Sequence, residues 1–188
     1  SGALPITGVS IGSRSLSRGD LFVALAGPTH DGHDFVAKAF AAGAAAALVH
    51  RVPAGLPAEA PLLVVDDTMA GLEALGGAAR VRTGARFVAG AGRVGHAGPH
   101  VAPRIPPPSP APAPWRPGNL NNQWGVPLSL ARMPRDTVYG VFELGMNHAE
   151  EIRGLTKQVR PHVSVITTIE AAHLEYFGSV EAIADAKA

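Results

Sequence analysis

The sequence contains no cysteine, which removes thiol nucleophiles, disulfide staples and Cys-ligated zinc together. That composition fits a cytoplasmic protein. Charge is scarce as well: charged residues make up 16% of the chain and sum to a formal +1. Neither sign builds the clustered field that broad nucleic-acid binding needs. No apolar run reaches the roughly 18 to 20 residues that cross a bilayer. The longest, Ala41 to Val49, is short, dominated by alanine and interrupted by Gly43. No internal repeat is visible. Ser1 opens the chain without a methionine or a charged-then-apolar leader, so no signal peptide is expected. The chain reads as a fragment, because Ala188 ends it inside a helical pattern, and it is expected to be a monomer.

What is present can bury a core. Hydrophobic residues make up 46% of the 188, which argues against global disorder and suits one ordinary domain or two small ones. Leu21 to Ala26 is an apolar run between Gly19-Asp20 and Gly27-Pro28, the pattern of a buried strand. Asp34 stands where a helix N-cap belongs, ahead of Phe35, Val36, Ala39 and Phe40, with Gly43 as the stop. Ala46 to Val49 and Leu62 to Val65 read as further strands, the second of them buried. Asp67 or Thr68 can cap a helix to about Arg82, with Met69, Leu72, Leu75 and Ala79 inward. This predicts a small α/β domain over residues 1–84.

A second α/β unit is expected over residues 85–188. Its strands are Arg86 to Ala89, Val138 to Leu144 and Val163 to Thr168, mostly parallel with helices crossing between them. Ala149 to Val159 reads as an amphipathic helix with acids early and bases late, as the helix dipole favours. Ser179 begins a last helix, with Ile183 on its apolar face. One window breaks the pattern. Nine of the chain's 17 prolines lie between Pro99 and Pro117, and no acidic residue occurs from Gly90 to Arg135. Proline inside a helix costs about 3 kcal/mol or more, so Pro99 to Pro117 is expected as a polyproline-like linker or loop.

Four groups of residues, in order, carry a family resemblance. The first is Ser13-Arg14, Gly19-Asp20-Leu21-Phe22-Val23-Ala24-Leu25 and Asp31-Gly32-His33-Asp34-Phe35. The second is Gly118-Asn119-Leu120-Asn121-Asn122-Gln123-Trp124-Gly125-Val126-Pro127, and the third Glu143-Leu144-Gly145-Met146-Asn147-His148. The last is His173-Leu174-Glu175, leading to Ala186-Lys187. Together they resemble the Mur ligases, and among these the D-alanyl-D-alanine-adding (MurF) type. The resemblance implies an ATP- and Mg2+-dependent ligase of peptidoglycan synthesis. ATP would phosphorylate the carboxylate ending UDP-N-acetylmuramoyl-tripeptide; the D-alanyl-D-alanine amine would attack the acyl phosphate, forming an amide and releasing phosphate. It also implies three domains: one for the UDP end, a central P-loop-type ATPase with a mostly parallel sheet, and a C-terminal Rossmann-like domain. Residues 1–84 would be the first and 85–188 part of the second, with the third absent.

Ser13 and Arg14 precede a strand, where a hydroxyl and a guanidinium fork can hold a diphosphate or a uracil edge; a solvated loop reads the same way. Gly12 stands where the family has an acidic residue. Asp31, Gly32 and His33 form either a tight turn and no more, or, by resemblance, a turn beside the UDP-sugar site. Glu143 ends an apolar strand, where α/β sheets place ligand groups. The resemblance makes it a magnesium ligand, and one carboxylate beside substrate phosphates suffices for that ion. By the same resemblance Asn147 and His148 contact substrate and His173 belongs to the nucleotide and metal site. Lys187 matches the lysine that the family can carry as a carbamate, and Asn121 and Asn122 match its asparagines near the phosphates.

The phosphate loop departs from the family. After the strand at Phe87 to Ala89 the pattern calls for a glycine loop ending in Gly-Lys-Thr and opening a helix, whose N–H groups and dipole cradle phosphates. The chain reads Gly90-Ala91-Gly92-Arg93-Val94-Gly95-His96-Ala97-Gly98. Gly92, Gly95 and Gly98 fit, but His96 replaces the lysine and Ala97 the hydroxyl that holds magnesium. Prolines replace the helix. Two readings follow: a Mur-type ligase by descent with a degraded ATP site and no turnover, or a non-catalytic module binding the UDP-muramoyl peptide. A third reading takes Pro99 to Pro117 as a ligand for SH3-like domains.

Overall fold

The computed structural model describes residues 4–91, 120–145, 150–166 and 178–187, and the backbone of 100–103. It divides into two compact units, Ser1–Leu75 and Gly76–Ala188. In the first, β1 (Gly8–Ser10), β2 (Asp20–Val23), β3 (Ala46–Val49) and β4 (Leu62–Val64) form one sheet in that order, every pair parallel. Both central strands are buried throughout, and Phe22, Ala24, Ala47 and Val49 pack with Val36 and Ala39 of helix α1 (Val36–Ala41).

Two expectations for this unit are corrected. Leu62 to Val65 is not a buried strand: β4 lies at the sheet edge, and Leu63 and Val64 are 51% and 55% exposed. An edge strand has a hydrogen-bonded neighbour on one side only, and its apolar composition does not reveal that position. Asp34 is not the helix cap. A 3-10 turn, Gly32–Phe35, precedes α1, and its cap is Asp31, which accepts the His33 N–H. An aspartate reaches the N–H two residues on through its own short side chain, so Asp31 takes that role first. Gly43 does stop the helix, at φ +97 with its N–H on the Phe40 carbonyl. Helix α2 (Thr68–Arg82) is capped by Asp67, whose Oδ1 accepts from Met69 and Ala70; Leu72 and Ala79 are buried.

In the second unit β5 (Arg86–Ala91), β7 (Thr137–Leu144) and β8 (Val163–Ile166) are parallel, and β6 (His100–Pro103) runs antiparallel to β7, in the order β6-β7-β5-β8. The proline-rich window thus holds a strand. Its Pro103 falls after a register shift on an edge strand, where a missing N–H is tolerated; residues 104–117 lie outside the described residues. Helix α3 (Gly125–Ala131) is also unanticipated; Pro127 sits in its first turn, where no N–H is needed. Phe87, Ala89, Ala91, Phe142 and Leu144 cover one sheet face together with α3 and with Ile152, Leu155 and Val159 of α4 (Glu151–Val159). The last helix is α5 (Val180–Lys187), with Ile183 buried. Among the described residues Tyr139 and Val141, and Val163, Val165 and Ile166 of β8, stay exposed. No helix among them is long and apolar enough to cross a membrane.

Candidate functional site

Because the first sheet is wholly parallel, its strands' C-terminal ends share one edge, the position where open α/β sheets bind ligands. Ser13 and Arg14 follow β1, Asp31, Gly32 and His33 follow β2, and His50 and Arg51 follow β3. The structure therefore brings the first five, all anticipated, to one end of one sheet. It adds His50 and Arg51, which sequence reading missed although their place directly after an apolar strand was the available signal. The loop after β1 is held by serines: the buried Ser10 Oγ donates to the Gly12 carbonyl at 3.1 Å and lies 3.2 Å from Ser15 Oγ. Ser15 N–H also donates to the Gly12 carbonyl at 3.1 Å. This turn closes on backbone and hydroxyl groups, so it needs no acidic side chain at Gly12.

The turn after β2 is tied to β3 by a chain of polar contacts. Asp31 Oδ1 accepts the His33 N–H at 2.9 Å and lies 2.6 Å from His33 Nδ1. His33 is 2% exposed, and its Nε2 accepts the His50 N–H at 3.0 Å. These contacts assign the ring proton to Nδ1. Asp31 Oδ2 meets Arg51 at 2.6 Å. Hydrogen bonds from the His33 backbone and then its ring, with a smaller contribution from Arg51, hold the Asp31 carboxyl well below the ordinary value of 3.8. A depressed carboxylate pKa stabilises the fold fully above that ordinary value and loses the contribution as pH falls below it. Acid titration followed by circular dichroism should therefore show the wild type losing stability below about pH 4 more steeply than Asp31→Asn. Parallel curves would show that Asp31 contributes nothing to acid sensitivity.

In the second unit the C-terminal ends of β5, β7 and β8 lie side by side, with Glu143 opposite Gly90 and Gly90 opposite Val165. Glu143 is half-buried there. Asn121 joins it: its carbonyl accepts the Gly145 N–H at 2.9 Å, and its carboxamide lies about 3.0 Å from where a Gly145 Cβ would be. Asn122 has a local task, its Oδ1 accepting from Trp124 and Gly125 at 3.2 and 2.9 Å ahead of α3. Lys187 closes α5, half-buried. Gly92, Gly95, His96, Ala97, Asn147, His148 and His173 lie outside the described residues. Among the described ones no group of three His, Cys, Asp or Glu could hold a metal ion.

The chain reverses direction between β5 and β6: one is parallel to β7, the other antiparallel, and only residues 92–99 join them. These eight residues lie outside the described ones. In the sequence His96 and Ala97 supply neither an ammonium nor a hydroxyl, the two groups with which a phosphate loop holds Mg-ATP.

Two family descriptions match the chain: "Mur ligase family, catalytic domain" over residues 5–79 and "Mur ligase middle domain" over 111–188. The UDP-N-acetylmuramoyl-tripeptide–D-alanyl-D-alanine ligase of Rickettsia prowazekii is 36% identical over 95% of this chain, and that of Escherichia coli 37% over 98%. The chain spans 39% and 40% of their lengths. A crystal structure of MurF from Acinetobacter baumannii is similar at a TM-score of 0.77 and 35% identity, covering 97% of this chain and 40% of its own. Fold and both matches agree: the chain belongs to the Mur ligase family, with matches to its N-terminal and middle domains.

Proposed function

We propose that the chain derives from an ATP-dependent ligase joining D-alanyl-D-alanine to UDP-N-acetylmuramoyl-tripeptide, and that it keeps substrate recognition without ATP turnover. The observation that carries this is the similarity to ligases so named over nearly the whole chain, broken at the phosphate loop. Residues 1–84 are the recognition domain, with Ser13, Arg14, Asp31, Gly32 and His33 at the UDP end. Residues 85–188 are part of the central domain, with Asn121, Asn122, Glu143, Asn147, His148, His173 and Lys187 as remnants of its nucleotide, substrate and metal site. Glu143 and His173 are its metal positions, and Lys187 its carbamate position. Mg-ATP is not expected to turn over on this chain, because the loop carries His96 and Ala97 in place of the lysine and hydroxyl donors.

Calorimetric titration of the purified chain tests both halves of the proposal. UDP-N-acetylmuramoyl-tripeptide should bind with measurable heat, and Mg-ATP should give none beyond dilution. Magnesium-dependent ATP binding would overturn the reading of His96 and Ala97. Absence of any binding of the UDP ligand would remove the recognition role.

A further inference from the structure

We propose that Arg51, aimed by Asp31, is the side chain that grips the diphosphate of the nucleotide-linked substrate. The inference rests on the recognition reading above and specifies how it is achieved. Arg51 has a half-exposed side chain, and the structure commits one of its terminal nitrogens to Asp31 Oδ2 at 2.6 Å. A guanidinium carries five N–H donors in a planar fork, so the remaining donors stay available for phosphate oxygens. An exposed ion pair adds little stability, yet this one is anchored with care. Asp31 Oδ1 is pinned by two contacts from His33, and His33 is buried with its second nitrogen on the His50 N–H. The carboxylate cannot swing without breaking a buried contact, so the guanidinium it holds keeps one direction. The network thus fixes an orientation more than it adds stability.

The location agrees with that role. Arg51 follows β3 and Arg14 follows β1, on either side of β2. Two strand spacings separate those ends by about 10 Å, a gap that two long arginine side chains close around a diphosphate. Neighbouring His50 is exposed, with its ring edge-on to His33 at 4.1 Å. An uncharged base or sugar would leave the guanidinium donors without an anionic partner, so the phosphates are the part of the ligand that Arg51 reads.

The test compares UDP with uridine, by calorimetry or competition, on the full chain and on Arg51→Ala, Arg51→Lys and Asp31→Asn, with melting curves for each. Arg51→Ala should lose about tenfold or more in UDP affinity, a typical worth for a charge-assisted bond, and leave uridine binding unchanged. Arg51→Lys should recover part of the loss, since it restores charge without the fork. Asp31→Asn should weaken UDP binding less than Arg51→Ala. Equal losses for UDP and uridine would mean a merely structural role and overturn the proposal, as would unchanged UDP affinity. If Arg51→Ala does not fold, the Arg51→Lys comparison decides by the same criteria. A wild-type chain that binds neither ligand would sink the recognition reading itself, whereas binding that ignores Arg51 would sink only this inference.

Discussion

Phe87→Ala should destabilise the second unit by about 3–5 kcal/mol, the usual cost of emptying a core aromatic site. Phe87 is fully buried on β5, its ring 5.8 Å from that of Phe142 and inclined by 28°. The Arg80 guanidinium carbon lies 4.0 Å from the ring centroid, and the same arginine donates to the carbonyls of Val159 and Arg160 at the end of α4. One ring therefore supports both the sheet and the arginine that closes a helix end. A Cβ on Gly140 would come within 2.9 Å of this ring, so the sheet has already given up a side chain to make room for it. Small domains are stable by only 5–15 kcal/mol, and β8 leaves apolar side chains exposed among the described residues. Urea unfolding monitored by far-ultraviolet circular dichroism should show the midpoint fall sharply, with Phe87→Leu in between. A Phe87→Ala curve that overlays the wild type would show that the core does not depend on this ring.

Gly32→Ala should disable the ligand end of the first unit. An added Cβ would stand 2.7 Å from both the nitrogen and the oxygen of Leu25 and 2.8 Å from the Ala24 carbonyl carbon. All three are backbone atoms, so no flexible side chain can yield. The turn itself must move, breaking the Gly32 N–H bond to the Leu25 carbonyl at 2.8 Å and carrying Asp31 and His33 with it. Overpacking of this kind costs about 1–3 kcal/mol, and affinity for the UDP ligand should drop about tenfold or more because Asp31 and His33 are displaced together with the turn, a larger change than losing the Asp31–Arg51 contact alone. Gly77→Ala in α2 is the control: nothing lies within 4 Å of its added Cβ, and alanine is preferred in a helix by up to about 1 kcal/mol. Equal ligand affinity in wild type and Gly32→Ala would show that the turn does not position the site.

Much of this protein is local and is written in the sequence. The apolar runs at residues 21, 46, 86 and 138 became strands, Gly43 ended its helix, and Ile152, Leu155 and Val159 line the buried side of α4. Each depends on neighbours a few residues away, through backbone conformation or helical period. The family strings are equally local, which is why Ser13, Arg14, Asp31, Gly32, His33, Asn121 and Glu143 are legible as candidates in the sequence itself. The tertiary structure alone decided which strands are edges, and so left Leu63 and Val64 exposed although their composition resembles a core. It alone set β6 antiparallel beside β7. It also made Asp31 the hub of the site, through bonds that cross from the turn to β3's end: His50 N–H to His33, and Arg51 to Asp31. Periodicity records which way a side chain faces within its own element. Which element lies opposite is settled only when the strands pair, because those contacts join residues far apart in the chain.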